Sequence, residues 1–326
     1  MSLQSFAYVT NVSGANGTVS VIRLSDNIVV QTVPVGGVPF GIAITPNGQF
    51  VYVVNSFGSN VSVIQTSDNM VIQNITVGVG PLGIAITPNG QFAYVTNGND
   101  DTVSVIRLSD NMVVQTIAVG DRPFGIAITP SGQFAYVTNQ LDGTVSVIRL
   151  SDNMVVQTIT VGSLPVAIAI TPNGQFAYVP NSGSGTVSVI RLSDNMVIQT
   201  INVGSTPSGI AITPNGQFAY VPNTSSDTVS VIRISDNMVI QTITVGDAPR
   251  GIAITPNGQF AYVANTDDNN VSVIRLSDNM EIQTVTVGNS PLRVAITTIT
   301  KPLSIPPTLK VTVFNIELTA IVYDNG

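Results

Sequence analysis

The triplet Ser-Asp-Asn begins at Ser25, Ser67, Ser109, Ser151, Ser193, Ser235 and Ser277, 42 residues apart each time. Tyrosines keep nearly the same beat: Tyr8, Tyr52, Tyr94, Tyr136, Tyr178, Tyr220 and Tyr262, with only the first interval stretched to 44. A period of this length suits either a four-stranded propeller blade or a pair of HEAT-type helices. Residue types decide between them. Each unit holds four short runs rich in Val, Ile and Thr, exemplified by 83–87, 92–95, 103–106 and 113–117. Turn signals separate the runs: Thr87-Pro88-Asn89-Gly90 after the first and Ser109-Asp110-Asn111 after the third. No apolar period of 3.6 residues runs through them, so helical repeats are excluded.

We letter the runs A to D. Run A is small or apolar at nearly every position, as in a strand covered on both faces, whereas run D alternates Gln and Thr with apolar residues. Run A is therefore expected at the axis and run D at the rim, where Pro34 is tolerated on a sheet edge. The last run A, Leu292 to Thr297, has no run B after it, and the first run B, Phe6 to Val9, has no run A before it. Together they complete one blade. The expectation is an all-β, seven-bladed β-propeller of four-stranded antiparallel blades, closed by three N-terminal strands and one C-terminal innermost strand. It spans residues 1–298, with 299–326 as a C-terminal extension made of a proline-rich linker and a β-rich tail. One blade alone buries too little apolar surface to offset the ordering of its backbone, so stability must come from blade-on-blade contact.

Composition removes whole classes of chemistry. The chain has no Cys, His or Trp, and eleven Lys plus Arg stand against eighteen Asp plus Glu, a net charge of −7. Imidazole-based catalysis and Cys/His zinc sites are excluded. The acidic balance argues against nucleic acid, and no run approaches the ~20 apolar residues of a membrane helix. No secretory signal is legible in the first residues. Asp-rich loops lack the EF-hand spacing for calcium, and neither metal nor cofactor is expected.

Strand B carries a recurring quartet. Tyr8-Val9-Thr10-Asn11, Tyr94-Val95-Thr96-Asn97 and Tyr136-Val137-Thr138-Asn139 resemble the signature of the YVTN-repeat β-propeller family, and the other four copies differ by one residue. That family is similar to surface-layer and other cell-surface or periplasmic proteins. The resemblance implies an extracellular or cell-surface location and a protein or glycan partner. A single ring is expected, with oligomerisation through the tail left open. Pro180 and Pro222 depart from the quartet and suggest that strand B ends there.

Differences among copies locate a candidate site. The A–B and C–D turns share one face and hardly vary, whereas the B–C and D–A connections share the other and carry the variety. Six of nine arginines fall at the end of run C, three residues before a repeat aspartate, which reads as a local surface pair. The remaining Arg122, Arg250 and Arg293 cluster at the D–A connection or the start of run A, with Phe40 and Phe124 on the same lip. Eight further aspartates lie on this face: Asp121 and Asp247 inside, Asp100, Asp101, Asp142, Asp227, Asp267 and Asp268 further out. Phe40, Arg122, Phe124, Arg250 and Arg293 are the candidate ligand-binding residues of an axial mouth, because guanidinium holds carboxylate or phosphate bidentately. The competing reading is a solvated lip that has drifted.

With no catalytic constellation in view, the expectation is a non-enzymatic binding or scaffold propeller using this variable face. The alternative is a propeller enzyme using Asp and Arg at the mouth, since propellers resembling this one include lyases, lactonases and cofactor-dependent oxidoreductases.

Overall fold

The computed structural model describes residues 2–13 and 16–301, together with 312–313 and 316–317. Seven four-stranded antiparallel sheets follow one another around an axis, each ordered A-B-C-D. Blade 1 joins the two ends of the chain. Its strand A is Pro291–Lys301, and strands B, C and D are Ser2–Asn11, Thr18–Arg23 and Ile28–Pro34. Strands A and B pair from Val9 opposite Val294, through Phe6 opposite Thr297, to Ser2 opposite Lys301. The closing strand thus continues past residue 298. Beyond it, Thr312–Val313 pairs with Ile316–Glu317, and the rest of the expected tail lies outside the described residues.

The core lies between blades. Tyr94, Val103, Val105 and Ile117 of blade 3 pack on Ala135, Val137 and Ile148 of blade 4. The same set recurs at the closure, where Tyr262, Val271 and Val273 of blade 7 meet Ala7, Val9 and Ile22 of blade 1. Strand D forms the rim, with most of its side chains in water.

A polar clasp crosses every blade boundary. The Asn of each Ser-Asp-Asn turn adopts the left-handed conformation, with φ between 55° and 58°. Asn tolerates that region better than most residues. The turn aims its amide at the preceding blade, where the oxygen accepts from a tyrosine and the nitrogen donates to a strand-D glutamine. Tyr94 Oη donates to Asn153 Oδ1 at 2.7 Å, and Asn153 Nδ2 donates to Gln115 at 2.8 Å. Six further clasps repeat this, and the one from Tyr262 to Asn27 to Gln283 spans the closure at 2.6 and 2.9 Å. The two most regular features of the sequence are thus two halves of one hydrogen-bonded unit. Sequence reasoning placed the tyrosines in the core but did not see the clasp.

The expectation that strand B stops at Pro180 and Pro222 is not met. Strand B runs through both, as Phe176–Asn181 and Phe218–Asn223, with Pro180 opposite Val187 on strand C. The missing N–H is felt on the other side, where strand A shrinks to Ala169–Ile170 and Ala211–Ile212. Val54 and Ala264 also lack the Thr hydroxyl at this position, yet their blades keep a six-residue strand A. The lost donor, rather than the lost hydroxyl, breaks the ladder. Pro180→Thr should therefore lengthen strand A of blade 5, read as increased hydrogen-exchange protection between residues 165 and 170; unchanged exchange would contradict this cause.

Burial pushes the hydroxyls of Tyr52, Tyr94, Tyr136, Tyr178, Tyr220 and Tyr262 up to about 12, and that of Tyr8 further still. An unfolded tyrosine ionises near pH 10, so above that value the unfolded chain sheds protons that the folded ring retains. The contribution is intact below pH 10 and is lost as pH rises towards 12. We expect phenolate absorbance to appear together with loss of β-sheet circular dichroism in this window, rather than ahead of it.

Candidate active site at the axial mouth

The B–C and D–A connections meet on one face, as expected from strand direction. In each D–A turn the second residue before strand A's second position, namely Val38, Gly80, Arg122, Leu164, Thr206, Ala248 or Ser290, has φ between 46° and 61°. Only one of these seven is glycine. Such backbone is costly for the others and persists only when neighbours fix it. The B–C loops do so: Gln140 N–H donates to Arg122 O at 3.0 Å, and Thr224 N–H to Thr206 O at 3.0 Å.

The outer aspartates belong to the same scaffold. Asp100, Asp142 and Asp268 accept from the N–H groups of Val79, Asp121 and Asp247, and Asp101 and Asp227 accept from those of Arg122 and Ala248. Five of the six outer carboxylates are therefore turn clamps. Crowding has a charge consequence at one point, where Asp268, then Asp227, raise the proton affinity of exposed Asp247.

Strand A enters the mouth as Pro-X-Gly in five of seven blades. The glycine is sterically required. A Cβ on Gly83 would lie 2.3 Å from Phe124 O, and one on Gly209 would lie 2.4 Å from Arg250 O, so each such Cβ would strike the next blade. Arg293 occupies this position in blade 1, and its side chain runs towards blade 2. There its Cζ lies 4.6 Å from the centre of the Phe40 ring, a cation–π contact. Phe40 in turn meets Phe124 edge-to-face at 5.2 Å. These three line an axial cavity of about 140 Å³ with Leu82 and Val166.

Four of the five candidate residues thus gather at the axis. Arg250 stands beside Arg293: burial first, and the Arg250 charge second, lower the Arg293 guanidinium to about 10, still protonated at neutral pH. Arg250 Nε is enclosed and has no hydrogen-bond partner. Arg122 does not join them. It is exposed on its turn, where only its backbone N–H is held. Among the described residues all six ion pairs are the repeat pairs, such as Arg107–Asp110 at 2.6 Å, and none involves Arg250 or Arg293. The mouth therefore holds two guanidinium groups without a carboxylate. Sequence reasoning missed Leu82, Val166 and Ser208, whose Oγ donates to the carbonyl of Pro249 at 3.0 Å. The signal was available, since the residue after the proline of run A varies widely among the seven copies, with five residue types.

Two wider clefts, about 540 and 560 Å³, lie between blades on the opposite face. Repeat-constant residues line them, and their Arg107 and Arg191 are already paired with Asp110 and Asp194. The mouth has the smaller volume but the uncommitted charge.

A family model for lactonases with a seven-bladed β-propeller matches residues 70–156 and 168–294, more than half of the chain. The chain belongs to this lactonase family. No curated protein matches this sequence. Among solved structures, a functionally unknown protein of Desulfotomaculum acetoxidans superposes with TM-score 0.79 at 18% identity, covering 89% of this chain and 98% of that one. A candidate 6-phosphogluconolactonase of Bacteroides fragilis gives 0.76 at 19%, covering 91% and 98%. The hydrazine synthase of Kuenenia stuttgartiensis gives 0.72 at 22%, covering 80% and 95%. At these identities the likeness is one of fold.

The family match overturns the expectation of a non-enzymatic binding or scaffold propeller, and with it the statement that the chain is not an enzyme. That inference rested on missing His, Cys and Trp. It overlooked that unpaired, partly dehydrated guanidinium groups can themselves stabilise a developing negative charge.

The glycine rule supplies a test of the propeller packing. Gly83→Ala should destabilise the ring by about 1–3 kcal/mol, as overpacking does, whereas Ala167→Gly should change little; equal midpoints in urea for both variants would contradict the close approach.

Proposed function

We propose that this chain is a hydrolase that opens lactone rings at the axial mouth. The observation that carries the reading is a pair of unpaired guanidinium groups at the axis of a propeller belonging to a lactonase family. Ring opening needs water to attack the ester carbonyl carbon. The carbonyl π pair moves onto oxygen, giving a tetrahedral oxyanion that collapses with cleavage of the ring C–O bond. The alkoxide takes up a proton as the attacking water loses one, and a hydroxy acid leaves. Negative charge grows first on the carbonyl oxygen and then on the leaving oxygen. Guanidinium N–H groups in a site walled by Phe40, Leu82 and Phe124 stabilise both more strongly than water would, because the apolar wall lowers the local dielectric. The product carboxylate also suits the same groups.

Resemblance of the strand-B quartets to YVTN-repeat propellers supports a place at the cell surface for this enzyme.

Repeat symmetry provides substitutions the fold already accepts. Arg293→Gly restores the residue of five other blades, and Arg250→Ser copies Ser208. Arg293→Gly should lower lactone hydrolysis about 10²–10³-fold, the usual effect of removing one oxyanion donor, and Arg250→Ser, which removes a neighbouring charge, should lower it less, with thermal stability kept in both. Turnover of a lactone panel is measured by acid release. Wild-type protein that opens no lactone, or an Arg293→Gly variant as active as wild type, would overturn the reading.

A further inference from the structure

The mouth is not equally polar all the way round. Around the axis the residue after the strand-A proline reads Phe40, Leu82, Phe124, Val166, Ser208, Arg250 and Leu292 from blade 2 back to blade 1. Blades 2 to 5 therefore offer an apolar arc, blade 7 a cation, and blade 1 a second cation from the following residue, Arg293. Arg293 is the only side chain lining the axial cavity that carries a nitrogen or oxygen; every other lining residue is Phe, Leu, Ile, Val, Ala or Gly. We propose that the mouth selects a small lactone with an apolar body and a single carboxylate, and discriminates against phosphorylated sugar lactones. This assignment rests on the lactonase reading above and names its substrate class.

Four features support it. A sugar lactone brings several hydroxyls, and in this cavity they would lose water without gaining partners, which costs binding for each one left unpaired. An aromatic or aliphatic ring instead meets Phe124 and Leu82, with Phe40 already set edge-to-face against Phe124. The anionic end is demanded by charge: Arg293 has lost much of its water, Arg250 Nε is enclosed without a partner, and no carboxylate answers either among the described residues. A monoanion suits this better than a phosphate dianion, whose dehydration against an apolar wall costs more. The cavity, about 140 Å³, is roughly five times the liquid share of one water, the scale of a single small ring.

Benzoate, 6-phosphogluconate and inorganic phosphate separate the possibilities by calorimetric titration of the full chain. Benzoate should bind, and Arg293→Gly should weaken it at least tenfold. Phe124→Val, which copies Val166, should also weaken it, and all variants should melt within a few degrees of wild type. Phosphate and 6-phosphogluconate should bind more weakly than benzoate. Tighter binding of either phosphate probe would overturn the substrate class while leaving lactone hydrolysis standing. No benzoate binding, or benzoate binding unchanged in Arg293→Gly, would overturn it too. Arginine-dependent benzoate binding in a protein that opens no lactone would uphold the ligand class and remove the hydrolytic reading instead.

Discussion

Everything in this molecule depends on strand A of blade 1 finding strands B, C and D across almost the whole length of the chain. The other six blades form from contiguous sequence. Blade 1 requires Pro291–Lys301 to pair with Ser2–Asn11, and only that pairing sets the wall of blade 7 against blade 1. Once the ring is shut, the Tyr262–Asn27–Gln283 clasp completes a circle in which every blade holds the next by the same three side chains. The clasp combines a buried hydroxyl that needs a partner, a left-handed turn residue that supplies one, and a rim glutamine that orients it. Each element is ordinary, and sevenfold repetition makes the boundary uniform.

Closure also builds the mouth. Arg293 arrives on the C-terminal strand and is fixed by its backbone N–H to Thr10 Oγ1, on the N-terminal strand, at 3.1 Å. Its side chain then crosses to blade 2, at a position where five other blades carry only glycine. This departure from the repeat adds a cation to a ring of strand-A residues that already differs from blade to blade. The unpaired charge of the mouth thus stands at the seam where the two ends of the fold meet.

Much of this was legible in the sequence. The 42-residue period, four runs per unit and the orphaned strands at each end led to seven blades and the mode of closure. Phe40, Phe124, Arg250 and Arg293 were legible as departures from the repeat near the axis. Arg122 misled because adjacency in sequence to the mouth does not mean pointing into it; its side chain is exposed on the D–A turn. The outer aspartates misled in the opposite way, since their variation reflects which loop N–H each must hold. Pro180 was read correctly as a lost donor, but one sequence cannot say which neighbouring strand that donor faces. The functional class was not legible because the chain carries no familiar set of acid, base and nucleophile, while the charges at its mouth are the guanidinium groups of Arg250 and Arg293, which have no carboxylate partner among the described residues.

The most direct test is the thermal unfolding of a chain ended at Ser290, which lacks the whole of the closing strand and Arg293, followed by circular dichroism beside the full chain. If the ring depends on that strand, the shortened chain should show no cooperative transition like that of the intact protein. A shortened chain that melts at the same midpoint with the same steepness would contradict the account.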